Sequence, residues 1–150
     1  MSFKKLFHPF IRCPFSVMLM TVLSLLISAH QTFGQFITIL NIPPDPAPRA
    51  ISSDTQLNLY AGGVIRYNFL AGTPLSTNIE VNISGGTVGS MFGAYSGSTV
   101  NISGGSVGNY LYANDGSTVN ISGGTVGSDF NAYDGSTVNI SGGSVARRLR

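Results

Sequence analysis

The sequence predicts an all-β fold, a parallel β-helix (solenoid) with 19-residue rungs, preceded by a helical signal segment. Three observations carry that prediction. A nineteen-residue unit recurs along the chain. Within each unit polar and apolar residues alternate with period two, the pattern of a half-buried strand. Paired glycines then interrupt every unit where the chain has to turn a corner.

The repeat appears on direct superposition. Val81–Thr99 reads VNISGGTVGSMFGAYSGST, Val100–Thr118 reads VNISGGSVGNYLYANDGST, and Val119–Thr137 reads VNISGGTVGSDFNAYDGST; twelve of the nineteen positions are identical in all three. A fourth copy, VNISGGSV, begins at Val138 and gives way to ARRLR at Ala146. A fainter copy precedes them. Leu57-Asn58-Leu59 matches Val-Asn-Ile, and Gly62-Gly63 matches the paired glycines after one inserted residue, Ala61. Phe69 and Ala71 then fall where Phe92 and Ala94 fall, and Gly72–Glu80 runs four residues longer than its counterpart. Residues 57–80 are therefore expected as an atypical capping rung ahead of the repeats at 81–145.

Each unit reads as three short strands. In Thr99-Val100-Asn101-Ile102-Ser103, Val100 and Ile102 share one face, while Thr99, Asn101 and Ser103 share the other. Gly104-Gly105 permits a corner with positive φ. Val107 opens a second strand, Leu111 and Ala113 form a third inward pair, and Asp115-Gly116 makes the last turn. Three strands per turn imply a triangular cross-section. Four large apolar side chains per unit do not offset the entropy of ordering nineteen backbones. Units must therefore stack, like residue above like residue, at about 4.8 Å.

The ends read differently. Lys4, Lys5 and Arg12 form a basic segment ahead of Val17–Ala29, an uncharged, mostly apolar run of thirteen residues. That suits a secretory signal core of roughly 7–15 residues and falls short of the ~20 needed to span a membrane. Residues 1–34 are thus expected as a signal peptide cut after Gly34, with Ala29 as the alternative cut. An uncleaved N-terminal anchor is the competing expectation, because Phe33, Phe36, Ile37, Ile39 and Leu40 prolong the apolar character. Pro43, Pro44, Pro46 and Pro48 mark 35–56 as an extended Pro-rich linker. Residues 146–150 form a basic tail, and the break eight residues into a unit is read as truncation of a longer array.

Composition narrows the chemistry. Charged residues make up 9% of the chain, against about 25% in typical soluble domains. His8, His30, Cys13, Lys4 and Lys5 all lie before residue 35, so the expected mature chain contains no His, Cys or Lys. That composition excludes Ser-His-Asp and Cys-His nucleophile systems, imidazole or thiolate zinc sites and disulfides. Only Asp115, Asp129 and Asp134 are charged between Val81 and Ala146. Nucleic acid is not an expected partner, since counterion release needs a basic stripe. The Asp register of calcium-binding nonapeptide repeats and the Lys of a phosphate loop are both missing. No catalytic residue, cofactor or metal is expected.

Three features remain as candidates. Asn82, Asn101, Asn120 and Asn139 each begin an Asn-Ile-Ser sequon. Stacked at about 4.8 Å they would crowd four glycans, so a ladder of bonded amides is favoured over glycosylation. The outward Thr/Asn/Ser rows form a flat uncharged face, either a solvated strand face or a surface for glycans or ordered water. Tyr95 and Tyr133 align, with Asn114 interrupting their column and Tyr60, Tyr67, Tyr110 and Tyr112 nearby. Corner-filling tyrosines are the favoured reading, and sugar stacking the alternative. The candidate glycan contacts are Tyr95, Tyr133, Thr99, Asn101, Thr118 and Asn120.

Over Leu57–Val145, the Gly-rich and Asn/Ser/Thr-rich nineteen-residue coil resembles the right-handed β-helices of secreted bacterial adhesins, among them haemagglutinin-type exoproteins and autotransporter passenger domains. The resemblance implies a non-catalytic secreted or cell-surface protein with a structural or adhesive role. Its expected partners are extracellular polysaccharide or other surface proteins, with membrane contact only through an uncleaved signal segment. A carbohydrate-binding module is the alternative.

A one-residue insertion between Asn101 and Ile102 should turn the inward face outward locally. Thermal melts are expected to show clear destabilisation, and an unchanged midpoint would contradict the solenoid.

Overall fold

The computed structural model describes residues 35–146. The expected helical signal segment at 1–34, its two cleavage positions and the arginines at 147–150 lie outside the described residues. Successive turns of one parallel coil build the described chain. The first contributes β1 (Thr38–Ile42) and β2 (Ala50–Ile51), and the second β3 (Thr55–Leu59), β4 (Val64–Ile65) and β5 (Leu70–Ala71). The third holds β6 (Ile79–Ile83), β7 (Thr87–Val88) and β8 (Gly93–Ala94), and the fourth β9 (Ser98–Ile102), β10 (Ser106–Val107) and β11 (Tyr112–Ala113). The fifth holds β12 (Thr118–Ile121), β13 (Thr125–Val126) and β14 (Asn131–Ala132), and the sixth β15 (Thr137–Ile140) and β16 (Ser144–Val145).

Three parallel sheets result. The six-stranded sheet runs β1-β3-β6-β9-β12-β15, and two five-stranded sheets run β4-β7-β10-β13-β16 and β2-β5-β8-β11-β14. Like residues face like residues: Val81 pairs with Val100, Val100 with Val119, and Val119 with Val138. The expected all-β parallel solenoid with about nineteen residues per rung is therefore observed.

Residues 35–56 are not an extended linker. They contain β1 and β2, which pair with β3 and β5. Thr38-Ile39-Leu40-Asn41-Ile42 matches Thr55-Gln56-Leu57-Asn58-Leu59 in character at every position but Ile39, which is exposed opposite Gln56, and so docks on it in register. The prolines are confined to the loop after β1, where a strand of the β4 sheet would otherwise run. Proline has no N–H to extend a ladder. The Asp45 N–H donates to the Asn41 carbonyl at 2.8 Å, and the Asn41 N–H donates to Asp45 Oδ2 at 2.7 Å, closing this loop. Residues 57–80 consequently form the second turn rather than the outermost one of the described array.

The core is a set of inward columns. Leu57, Val81, Val100 and Val119 are fully buried, as are Phe92, Leu111 and Phe130, with Phe69 nearly so. The Phe69 and Phe92 rings pack at 5.3 Å between centroids. Val107 closes its strand instead of opening it, and its side chain still points inward. Ser98 and Ser117 are buried as well. Their hydroxyls donate to the Tyr95 and Asn114 carbonyls, the second at 2.6 Å, so a polar residue sits in the core with its hydrogen bond made.

The paired glycines serve two separate needs. Gly105 has φ of 71°, the left-handed corner. Gly104 does not, but a Cβ there would lie 2.4 Å from the Ser84 carbonyl oxygen of the preceding rung. The second glycine turns the chain, and both let the rungs approach, since a Cβ at Gly105 would lie 2.6 Å from the Gly85 carbonyl oxygen.

A second left-handed column gives no glycine signal. Asn68, Met91, Tyr110 and Asp129 have φ of 60°, 65°, 61° and 60°. In this conformation the Met91 N–H reaches the Asn109 carbonyl and the Tyr110 N–H the Ser128 carbonyl, both at 2.9 Å. Met91 is exposed, so its side chain offers little packing against the cost of left-handed backbone, about 1–2 kcal/mol. Met91→Gly is expected to stabilise the protein by about 1 kcal/mol, whereas Phe92→Ala next to it should destabilise it by about 3–5 kcal/mol. Urea unfolding of both variants checks this pair, and destabilisation by Met91→Gly would contradict the backbone assignment.

Candidate functional site

Two surfaces hold the candidate residues. The first is the outward face of the six-stranded sheet, where pairing places Thr99 beside Thr118 and Asn101 beside Asn120. Each asparagine amide donates to the Oδ1 of the rung before it. The distances are 3.0 Å for Asn58 to Asn41, 3.1 Å for Asn82 to Asn58 and 2.9 Å for Asn101 to Asn82. They are 2.8 Å for Asn120 to Asn101 and 2.9 Å for Asn139 to Asn120.

The expected ladder over Asn82–Asn139 is thus present and extends two rungs further, to Asn58 and Asn41. Its direction never reverses, so every internal asparagine both donates and accepts. Asn101 and Asn120 are engaged with each other, which leaves each amide one N–H and one lone pair for anything else. The hydroxyls of Thr99 and Thr118 make no hydrogen bond among the described residues. They are the freer polar groups of this face.

The second surface is an open depression of about 360 Å³ lined by Tyr95, Tyr112, Asn114 and Tyr133. Tyr95 and Tyr133 are brought together here. Thr99 and Asn101 instead line a different depression with Phe36, Asn78, Ile79, Glu80 and Gly97. The six candidate residues therefore divide between two surfaces.

Two residues that shape the tyrosine depression were not among the candidates. Pairing aligns Leu70, Gly93, Tyr112 and Asn131 in one outward column. At Gly93 the missing side chain makes room for a neighbour: a Cβ there would lie 2.9 Å from the Tyr95 ring. One rung on, Tyr112 fills the same column and stacks on Tyr133 at 6.4 Å between centroids and 19° between planes. This is the offset geometry aromatic pairs favour. Asn114, in the tyrosine column, turns inward along the stack and donates its amide to the Ala94 carbonyl at 2.9 Å. That leaves a gap between Tyr95 and Tyr133 where a third ring would otherwise stand. Gly93 carried no signal from its column, which holds a different residue in every rung. Tyr112 carried only its residue type. Tyr67 lies away from this depression, in a separate cleft.

Among the described residues, no three His, Cys, Asp or Glu side chains gather into a metal-binding group. No helix among them is long and apolar enough to cross a membrane.

The ladder predicts a position-dependent cost. Asn101→Ala breaks a donated and an accepted bond and strands both neighbours, so it should destabilise by about 1–3 kcal/mol. Asn139→Ala, exposed and bonded on one side only among the described residues, should cost clearly less. Equal shifts in thermal midpoint would contradict a cooperative ladder. No family model, curated protein or solved structure matches this chain.

Proposed function

We propose that the chain is a non-catalytic secreted or cell-surface solenoid with a structural or adhesive role. The observation that carries this reading is the uninterrupted Asn ladder along the outward face of the six-stranded sheet, where Glu80 is the only charged residue among those described. Its polar groups bond to one another along the stack. Such a surface is stiff and repetitive, suited to presenting contacts at fixed spacing. The resemblance of the repeat to secreted bacterial adhesins supports the same reading, and the basic-then-apolar pattern of 1–34 supports export. Intact mass of the protein recovered from cell fractions tests it. A chain starting near Gln35 in the medium or envelope is the expected result, and a full-length chain confined to the cytoplasm would overturn it.

A carbohydrate-binding module is the second reading, favoured by the tyrosine depression. Exposed aromatic faces stack on sugar rings, and Tyr133 is exposed above a gap that leaves room for one. Extracellular polysaccharide is the ligand class this reading requires. Glycan-array binding by the full chain should then be lost in Tyr133→Ala and weakened in Gly93→Ala, whose new methyl displaces the Tyr95 ring. Thr99→Ala, which lines the other depression, should bind as the parent does. Absence of binding by the parent chain removes the module reading and leaves the structural one.

A further inference from the structure

Arg49 and Arg66 are the only basic residues among those described, and both line the same cleft, about 170 Å³, with Pro48, Tyr67 and Asn68. No acidic residue lines it. Neither guanidinium has a hydrogen-bond or ion-pair partner among the described residues. Two like charges gathered at one cleft repel each other unless an anion joins them.

The walls are held by the stack. The Arg49 carbonyl accepts the Leu70 N–H at 3.2 Å, and the Asn68 N–H donates to the Ser90 carbonyl at 2.8 Å, with Asn68 in the left-handed conformation. A Cβ at Gly89 would lie 2.5 Å from the Tyr67 backbone nitrogen, so the next rung presses directly on this corner. The corner also departs from the repeat. Where later rungs carry Gly89-Ser90, Gly108-Asn109 and Gly127-Ser128 after the buried valine, this one carries Arg66-Tyr67 after Ile65.

We infer that the cleft between Arg49 and Arg66 binds the carboxylate of a uronic acid residue within an acidic polysaccharide. The planar guanidinium fork matches a carboxylate with two parallel N–H···O bonds. The volume suits a single sugar ring rather than a larger ligand. Tyr67, 74% exposed beside the arginines, supplies the flat face on which that ring stacks. Asn68, exposed at the rim, offers an amide to its hydroxyls. The site is separate from the tyrosine depression and stands or falls independently of it.

Calorimetric titration of the full chain with trigalacturonate tests the inference, with maltotriose and inorganic phosphate as comparison ligands. Trigalacturonate should bind at low salt and weaken at about 0.3 M salt, while maltotriose gives no heat and phosphate binds more weakly. Arg49→Gln and Arg66→Gln should each lower affinity by about tenfold or more. Arg66→Lys, which keeps the charge and loses the fork, should fall between Arg66→Gln and the parent. Because both arginines are exposed, thermal midpoints should not move. Equal binding of trigalacturonate and maltotriose, undiminished binding in Arg66→Gln, or phosphate binding as tight as trigalacturonate would overturn the inference. Loss of trigalacturonate binding in Tyr133→Ala would overturn it too, by moving the ligand to the tyrosine depression.

Discussion

Backbone hydrogen bonding from rung to rung is the constraint on which everything else in this molecule depends. In a parallel coil the N–H and C=O groups of each strand point along the stack, so register between neighbours decides which side chains meet. Here the register is residue for residue across the six-stranded sheet. Identical positions then form columns, and each column must satisfy itself. Valine and phenylalanine columns do so by packing, and asparagine by amide bonds passed in one direction. Glycine columns do so by removing the Cβ where one carbonyl comes close to the next backbone.

In such an array, rungs of the same sequence present the same outward residues. The distinctive surfaces arise where a rung departs from its neighbours. Gly93 interrupts a column of larger residues and admits the Tyr95 ring, and Asn114 interrupts a tyrosine column and opens a gap. Arg66-Tyr67 replaces a glycine-led corner and brings a cation to a cleft that already holds Arg49. Each departure alters side chains outside the core and leaves the inward columns intact. The array therefore tolerates it.

Most of the fold was legible because period and alternation both act through side chains the sequence displays. Nineteen-residue spacing, the Val/Ile/Phe columns and the Asn ladder follow from stacking alone. What was not legible has specific causes. Proline content drew 35–56 toward a spacer, and the match of Thr38–Ile42 to Thr55–Leu59 was obscured by apolar Ile39 opposite Gln56 and by a shorter spacing of seventeen residues. The left-handed column at Asn68, Met91, Tyr110 and Asp129 has no common residue type to announce it, because backbone hydrogen bonds rather than side chains impose it. Of the candidate site, the Tyr95 and Tyr133 alignment was visible in the repeat. Their separation from Thr99 and Asn101 was not, because periodicity places residues along a column without saying which columns share a hollow.

Register between rungs can be read directly by disulfide trapping. In a Cys13→Ser background, Thr99→Cys with Thr118→Cys places two outward cysteines on paired positions. Their Cα atoms stand at about 4.8 Å, inside the roughly 4.4–6.8 Å that a disulfide accepts. Thr99→Cys with Thr137→Cys spans two rungs, about 10 Å, beyond that reach. In-register stacking gives an intramolecular bridge, seen by mass spectrometry without reductant, in the first variant and none in the second. A bridge in the second, or in neither, would contradict it.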